Sequence, residues 1–221
     1  MDKTSYKFSL QFKETVSVLF LGHSFVNRLE RFCLENDDKH NFGLVPESHL
    51  LFYKSRGGAK LSDCRKDFKV IRQVDANLVF LEIGTNDLDS QVMSPEMLAE
   101  EVFKSANEIV QNFPEVQMVV VLEVLFRSPM GRFPYNNPNF ASQAYAYNQK
   151  MMELVIAPNL GKSSRVRFWH HRGMVDKWAS YLSDGVHLNQ AGMEKYYTSI
   201  RRAILKFSPI VRQRLCDLKL G

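Results

Sequence analysis

Five short runs rich in apolar and β-branched residues recur along the chain, at 16–21, 50–54, 78–83, 116–125 and 165–169. Between them the apolar residues change period. Phe25, Val26 and Leu29 open a helical pattern that reaches to about residue 36, and Leu98, Val102, Ala106, Ile109 and Phe113 repeat at helical spacing. A helix over 140–157 follows. Met193, Tyr196, Tyr197, Ile200, Ile204 and Phe207 then line one face of a last helix. A continuous apolar run a few residues long reads as a strand buried on both faces, the strand type of a parallel sheet. Strand and helix alternating along the chain predict one doubly wound α/β domain with a five-stranded parallel sheet.

Turn and cap residues punctuate the same map. Asn36 to Asn41 is a polar turn, and Gly57-Gly58 after the second run marks a tight turn or a close backbone approach. Ser94-Pro95-Glu96 is a helix start, with Ser as N-cap, Pro at the first helical position and Glu on the positive end of the dipole. Asn189 is the expected cap of the last helix. The stretch 126–139 carries three prolines and reads as a long loop of the kind used as a lid or substrate-binding segment. The expected organisation is an arm over 1–15, the domain over 16–207 and a tail over 208–221. That tail mixes apolar and basic residues, and packing on the domain, a partner contact and a membrane surface all stay open for it.

At 221 residues, 45% of them hydrophobic, the chain can bury a full core as one domain. The 29 Lys and Arg against 24 acidic residues give a net charge of +5, an excess that permits an anionic partner without requiring one. The three cysteines, Cys33, Cys64 and Cys216, form no C-x-x-C pair, which argues against a disulfide framework and a zinc site. The start of the chain has no apolar signal region, and no stretch approaches the roughly 18 consecutive apolar residues of a spanning helix, so a cytoplasmic setting is expected. Gly161-Lys162-Ser163 imitates the end of a P-loop, but Ile156 stands where that loop needs glycine, so no nucleotide site is read there. His170 and His171 would point to opposite faces of an extended segment, which disfavours a metal pair.

The candidate chemistry sits where the strands end. Ser24 follows Gly22-His23 at the end of the first run, Gly58 follows the second, and Asn86 in Gly84-Thr85-Asn86-Asp87 follows the third. Asp184 and His187, in Asp184-Gly185-Val186-His187, follow the fifth. Each has an ordinary explanation alone: a turn, a cap, a solvated loop histidine. Together they converge on the carboxyl edge of one sheet, where open α/β sheets bind ligands. Acyl transfer needs such a set: a hydroxyl nucleophile, a base, a carboxylate that orients the base, and donors for the oxyanion.

These blocks, in this order and over almost the whole chain, resemble the SGNH (GDSL-type) hydrolases. The resemblance implies a flavodoxin-like three-layer α/β/α sandwich and esterase activity on short, acetyl-type acyl groups. It also implies Ser24 as nucleophile, Asp184 and His187 as its triad partners, and Ser24, Gly58 and Asn86 as oxyanion donors, with no metal or cofactor. His23 departs from the family, which usually has Asp between glycine and serine. The Gly-His-Ser-Phe variant resembles esterase-like domains encoded by some non-LTR retrotransposons. Two functions are therefore carried forward: a serine esterase acting on a small acyl-ester or lipid substrate, and a weakly active or inactive binding or assembly module. For the second, RNA, a nucleoprotein or a membrane surface would be the partner, and a homodimer is a further expectation.

Overall fold

In a computed structural model of the chain, residues 15–128, 137–156, 164–174 and 178–220 are described. Residues 1–14 of the expected N-terminal arm, the Gly161-Lys162-Ser163 segment and residues 129–136 of the long loop lie outside them. The sheet consists of β1 (Val16–Gly22), β2 (His49–Ser55), β3 (Leu78–Glu82), β4 (Met118–Leu122) and β5 (Val166–Trp169). All pairings are parallel and the order is β2-β1-β3-β4-β5. This is the doubly wound, flavodoxin-like arrangement that the alternating pattern implies.

The helices are α1 (Ser24–Leu34), α2 (Leu61–Lys66), α3 (Val70–Gln73), α4 (Thr85–Ser90), α5 (Pro95–Asn112), α6 (Phe140–Ile156) and α7 (Gln190–Leu220). Two cores form, one on each face of the sheet, because alternate strand residues point to opposite sides. Val16, Val18 and Phe20 of β1, with Leu78 and Phe80 of β3, join the apolar faces of α1 and α7. Leu19, Leu21, Val79 and Leu81 join those of α2, α5 and α6. The three-layer sandwich follows from that period.

Several local expectations are corrected. The helix after β1 ends at Leu34, and the polar stretch behind it winds into 3₁₀ turns over Asp37–Gly43. Two short helices, α2 and α3, occupy the region between β2 and β3, whose short amphipathic segments give no clear period. The fourth strand is shorter than its β-branched run, because past Leu122 the backbone N–H and C=O of Val124 pair with the Asn148 side chain on α6 at 3.0 and 2.9 Å. The last helix does not stop near residue 207. It continues through Pro209 to Leu220 and buries Val211.

Candidate active site

Four carboxyl-edge segments build the site. The first is the junction of β1 and α1. A Cβ at Gly22 would collide with the Glu82 carbonyl, so only glycine lets the two strands run this close before the chain turns. His23 is the N-cap of α1, its ring Nδ1 accepting from the Phe25 N–H at 3.4 Å, and Ser24 is the first helical residue. The residue that departs from the family thus works as a cap.

The second and third segments are stitched together. Gly58 sits in a turn closed by the Ala59 N–H on the Arg56 carbonyl at 3.1 Å. Asn86 donates from Nδ2 to the Ala59 carbonyl at 2.9 Å, and both carboxylate oxygens of Asp87 accept the Leu61 N–H at 3.2 Å. Adjacent side chains of the Gly-Thr-Asn-Asp block therefore hold the Gly58 turn. Gly84 caps α4 at φ +111°, a conformation that favours glycine. Among the described residues, neither the Ser24 nor the Gly58 backbone N–H donates in the surrounding turns.

The fourth is the loop before α7. One oxygen of Asp184 accepts the Val186 and His187 N–H groups at 2.9 and 2.7 Å, and the other accepts from His187 Nδ1 at 2.7 Å. Burial works to raise the Asp184 pKa, but these bonds outweigh it and bring the carboxyl down to about 2. With its proton on Nδ1, His187 turns the lone pair of Nε2 toward Ser24 Oγ, 3.5 Å away. Ser24, Asp184 and His187 thus come together, and Gly58 and Asn86 line the same cleft of about 280 Å³ with Phe25, Val186 and Arg127. A hydroxyl, an oriented imidazole and a row of N–H donors around one small volume can carry out nucleophilic displacement at a carbonyl.

Beneath the site lies a buried polar cluster. His23 Nε2 faces Glu82 Oε1 at 3.6 Å, and Tyr196 donates its hydroxyl to the other Glu82 oxygen. Burial, with smaller contributions from Arg127 and His187, pushes the His23 pKa down to about 3. Burial likewise raises Glu82 to about 8, against the Tyr196 hydrogen bond. The pair therefore meets as two neutral groups, not as an ion pair.

Sequence reasoning missed Glu82, Tyr196, Asp89 and Arg127. Arg127 was hidden in a stretch read only as a loop, although it too follows a strand at the carboxyl edge, the signal that singled out the other site residues. His171 is fully buried against Tyr196 and Ser199 and does not border the cleft, while His170 is exposed and paired with Glu123 at 2.6 Å. Among the described residues no group of His, Cys, Asp and Glu could hold a metal ion.

Solved structures share this fold. A GDSL-like lipase from Bacteroides thetaiotaomicron aligns with a TM-score of 0.67 at 16% identity, over 86% of this chain and 88% of its own. An acetyl esterase variant with an acetate ion aligns at 0.64 and 15%, over 89% and 100%. A carbohydrate esterase family 3 protein from Talaromyces cellulolyticus aligns at 0.59 and 15%, over 88% and 99%. No curated protein sequence matches the chain significantly. The profile of one family, however, matches residues 24–195, most of the chain and the stretch from Ser24 through His187. The chain belongs to the GDSL-like lipase/acylhydrolase family.

Proposed function

We propose that the protein is a serine esterase for short acyl groups. The observation that carries this reading is the aligned relay of Asp184, His187 and Ser24, at 2.7 and 3.5 Å, opening into a cleft with unspent N–H donors. His187 Nε2 takes the Ser24 proton as Oγ attacks the ester carbonyl. The carbonyl oxygen, now negative, is met by the N–H groups of Ser24 and Gly58 and by the Asn86 amide. His187 then protonates the leaving alcohol, and a water molecule, deprotonated by the same imidazole, releases the acid from the acyl-enzyme. The 3.5 Å separation is long for a hydrogen bond and is of the kind that tightens when substrate is bound. The small cleft favours acetyl over long chains.

Hydrolysis of p-nitrophenyl acetate, butyrate and a long-chain ester tests the reading. Wild type should prefer the shorter esters, and Ser24→Ala and His187→Ala should each lose on the order of 10³-fold or more in kcat. Unchanged turnover by Ser24→Ala would rule the mechanism out.

A second reading, a binding module on the same fold, is favoured by one surface. Arg167, Arg172, Arg202, Lys206 and Arg214 lie on β5, its exit and the facing side of α7, and among the described residues none is paired with a carboxylate. Arg172, Arg202 and Lys206 share a cavity of about 430 Å³ with Trp169. Cations beside an aromatic ring suit a single-stranded nucleic acid. The Gly-His-Ser-Phe likeness to retroelement-encoded domains supports the same reading.

A further inference from the structure

We infer that Arg127 is the positioning residue of the oxyanion site: its guanidinium fixes the Asn86 amide so that an Nδ2 proton, and not Oδ1, faces the cleft. The inference rests on Asn86 being an oxyanion donor, as proposed above.

An Asn side chain has two N–H donors and one carbonyl acceptor, and nothing in its shape distinguishes the two ends. A site that needs the nitrogen end must specify it through neighbours. Two neighbours do so here, and they agree. Arg127 Nη2 donates to Asn86 Oδ1 at 3.0 Å, and Asn86 Nδ2 donates one proton to the Ala59 carbonyl at 2.9 Å. Rotating the amide by half a turn would set Nδ2 against the guanidinium and Oδ1 against the carbonyl, two repulsive pairs in place of two bonds. Among the described residues the donor count then leaves one Nδ2–H without a partner, and Asn86 lines the cleft beside Ser24 and Gly58.

Arg127 is itself held from three sides. Its Nη1 pairs with Asp89 Oδ2 at 3.0 Å, and its guanidinium carbon lies 4.9 Å from the centre of the Phe140 ring. The following residue, Ser128, donates its N–H to the Gly185 carbonyl at 2.7 Å, tying the same segment to the Asp184–His187 loop. The residue is almost wholly buried yet lines the cleft. A charged donor on Oδ1 also draws electron density from the amide and makes the remaining N–H a stronger donor when negative charge develops beside it. Asp89 completes a chain in which a carboxylate holds a guanidinium, the guanidinium holds an amide, and the amide meets the oxyanion.

The test is a double-mutant cycle on p-nitrophenyl acetate, joined to a measurement that does not depend on turnover. Asn86→Ala should lower kcat by about 10²–10³-fold. Arg127→Met, which keeps most of the volume, should lower kcat by roughly 10-fold or more with KM nearly unchanged, since the lost interaction belongs to the transition state. Arg127→Lys should recover only part of that loss, because one ammonium cannot reproduce the planar fork that spans Asn86 and Asp89. The combined Asn86→Ala/Arg127→Met variant should be no slower than Asn86→Ala alone. Asp89→Asn, which loosens Arg127 without emptying its site, should give a smaller kcat loss that also vanishes in the Asn86→Ala background.

In parallel, hydrogen exchange of the Asn86 side-chain amide by NMR should be slow in wild type and faster in Arg127→Met and Asp89→Asn. Losses that simply add in the double variant would overturn the inference. So would unchanged protection of the Asn86 amide in both Arg127→Met and Asp89→Asn, even in a protein with no esterase activity. An Asn86→Ala variant with full kcat would instead remove the oxyanion role of Asn86, and the catalytic part of the inference with it.

Discussion

His23 is fully buried beneath the site, and the charges of Arg127 and His187 act on it. Burial keeps it neutral, down to about pH 3 against 6.5 in an unfolded chain. His171, also buried, behaves the same way. Below pH 6.5 the unfolded chain therefore binds more protons at these two positions, and stability falls as the pH drops toward 3. Glu82 has the opposite sign. Folded, it holds its proton up to about pH 8, against 4.5 unfolded, so its contribution is lost as the pH rises through that window. Urea midpoints measured from pH 4 to 9 should decline at both ends. Glu82→Gln should flatten the alkaline decline and leave the acid one. The same alkaline slope in both proteins would show that Glu82 is not the group that titrates. Sequence reading singled out His23 as a departure from its family. It did not reach Glu82 or Tyr196, because a carboxylate inside an apolar strand and a tyrosine on an apolar helix face both look like core.

At the scale of elements, α7 shows how far periodicity carries. Its apolar face up to Phe207 was legible, and the structure packs that face on β1 and β3. The remainder was not, because Pro209 and a run of basic residues imitate a helix end. The tertiary surroundings decide otherwise. His49 Nε2 meets Ser208 Oγ at 3.0 Å, Arg212 donates to the Ser48 carbonyl at 2.9 Å, and Arg214 donates to the Gln117 carbonyl at 2.8 Å. These bonds hold the last turns against the amino ends of the strands, and Val211 is buried under them. Val211→Ala should cost about 1.5–3 kcal/mol by chemical denaturation. Leu218→Ala, on the exposed side, should stay within about 0.5 kcal/mol. Equal effects would mean that the end of α7 is not docked as described. On the same helix Arg201 donates from Nε to the Phe42 carbonyl at 2.9 Å, while Arg202 and Lys206 are exposed.

Across the whole molecule, the net charge is +5, and Arg172, Arg202 and Lys206 line one cavity beside β5. Burial, and then the positive charge of Arg214, lowers the pKa of both Arg165 and Arg167. If this face serves a nucleic-acid partner, a short single-stranded RNA should bind at low salt, weaken as salt rises, and lose at least about 10-fold in affinity when Arg202 and Lys206 are both changed to Glu. Binding that ignores those substitutions, or none at low salt, would leave the esterase reading alone. Among the described residues no helix is long and apolar enough to cross a membrane.

The sequence by itself determined the sheet and its layers, because short continuous apolar runs alternating with segments of helical period leave few ways to bury the apolar faces. It also singled out Ser24, Gly58 and Asn86, since a glycine turn or a short polar motif directly after a strand can lie only at one edge of a parallel sheet, and Asp184 and His187, whose motif follows the last strand before the final helix. What it could not supply were contacts between side chains far apart in the chain. The Asp89–Arg127–Asn86 links span about 40 positions, and the Glu82–Tyr196 bond spans 114. No local pattern encodes such pairs. They exist only once the strands are in register and the loops beyond them are brought to a common edge, and there they decide which way an amide points and which buried groups stay neutral.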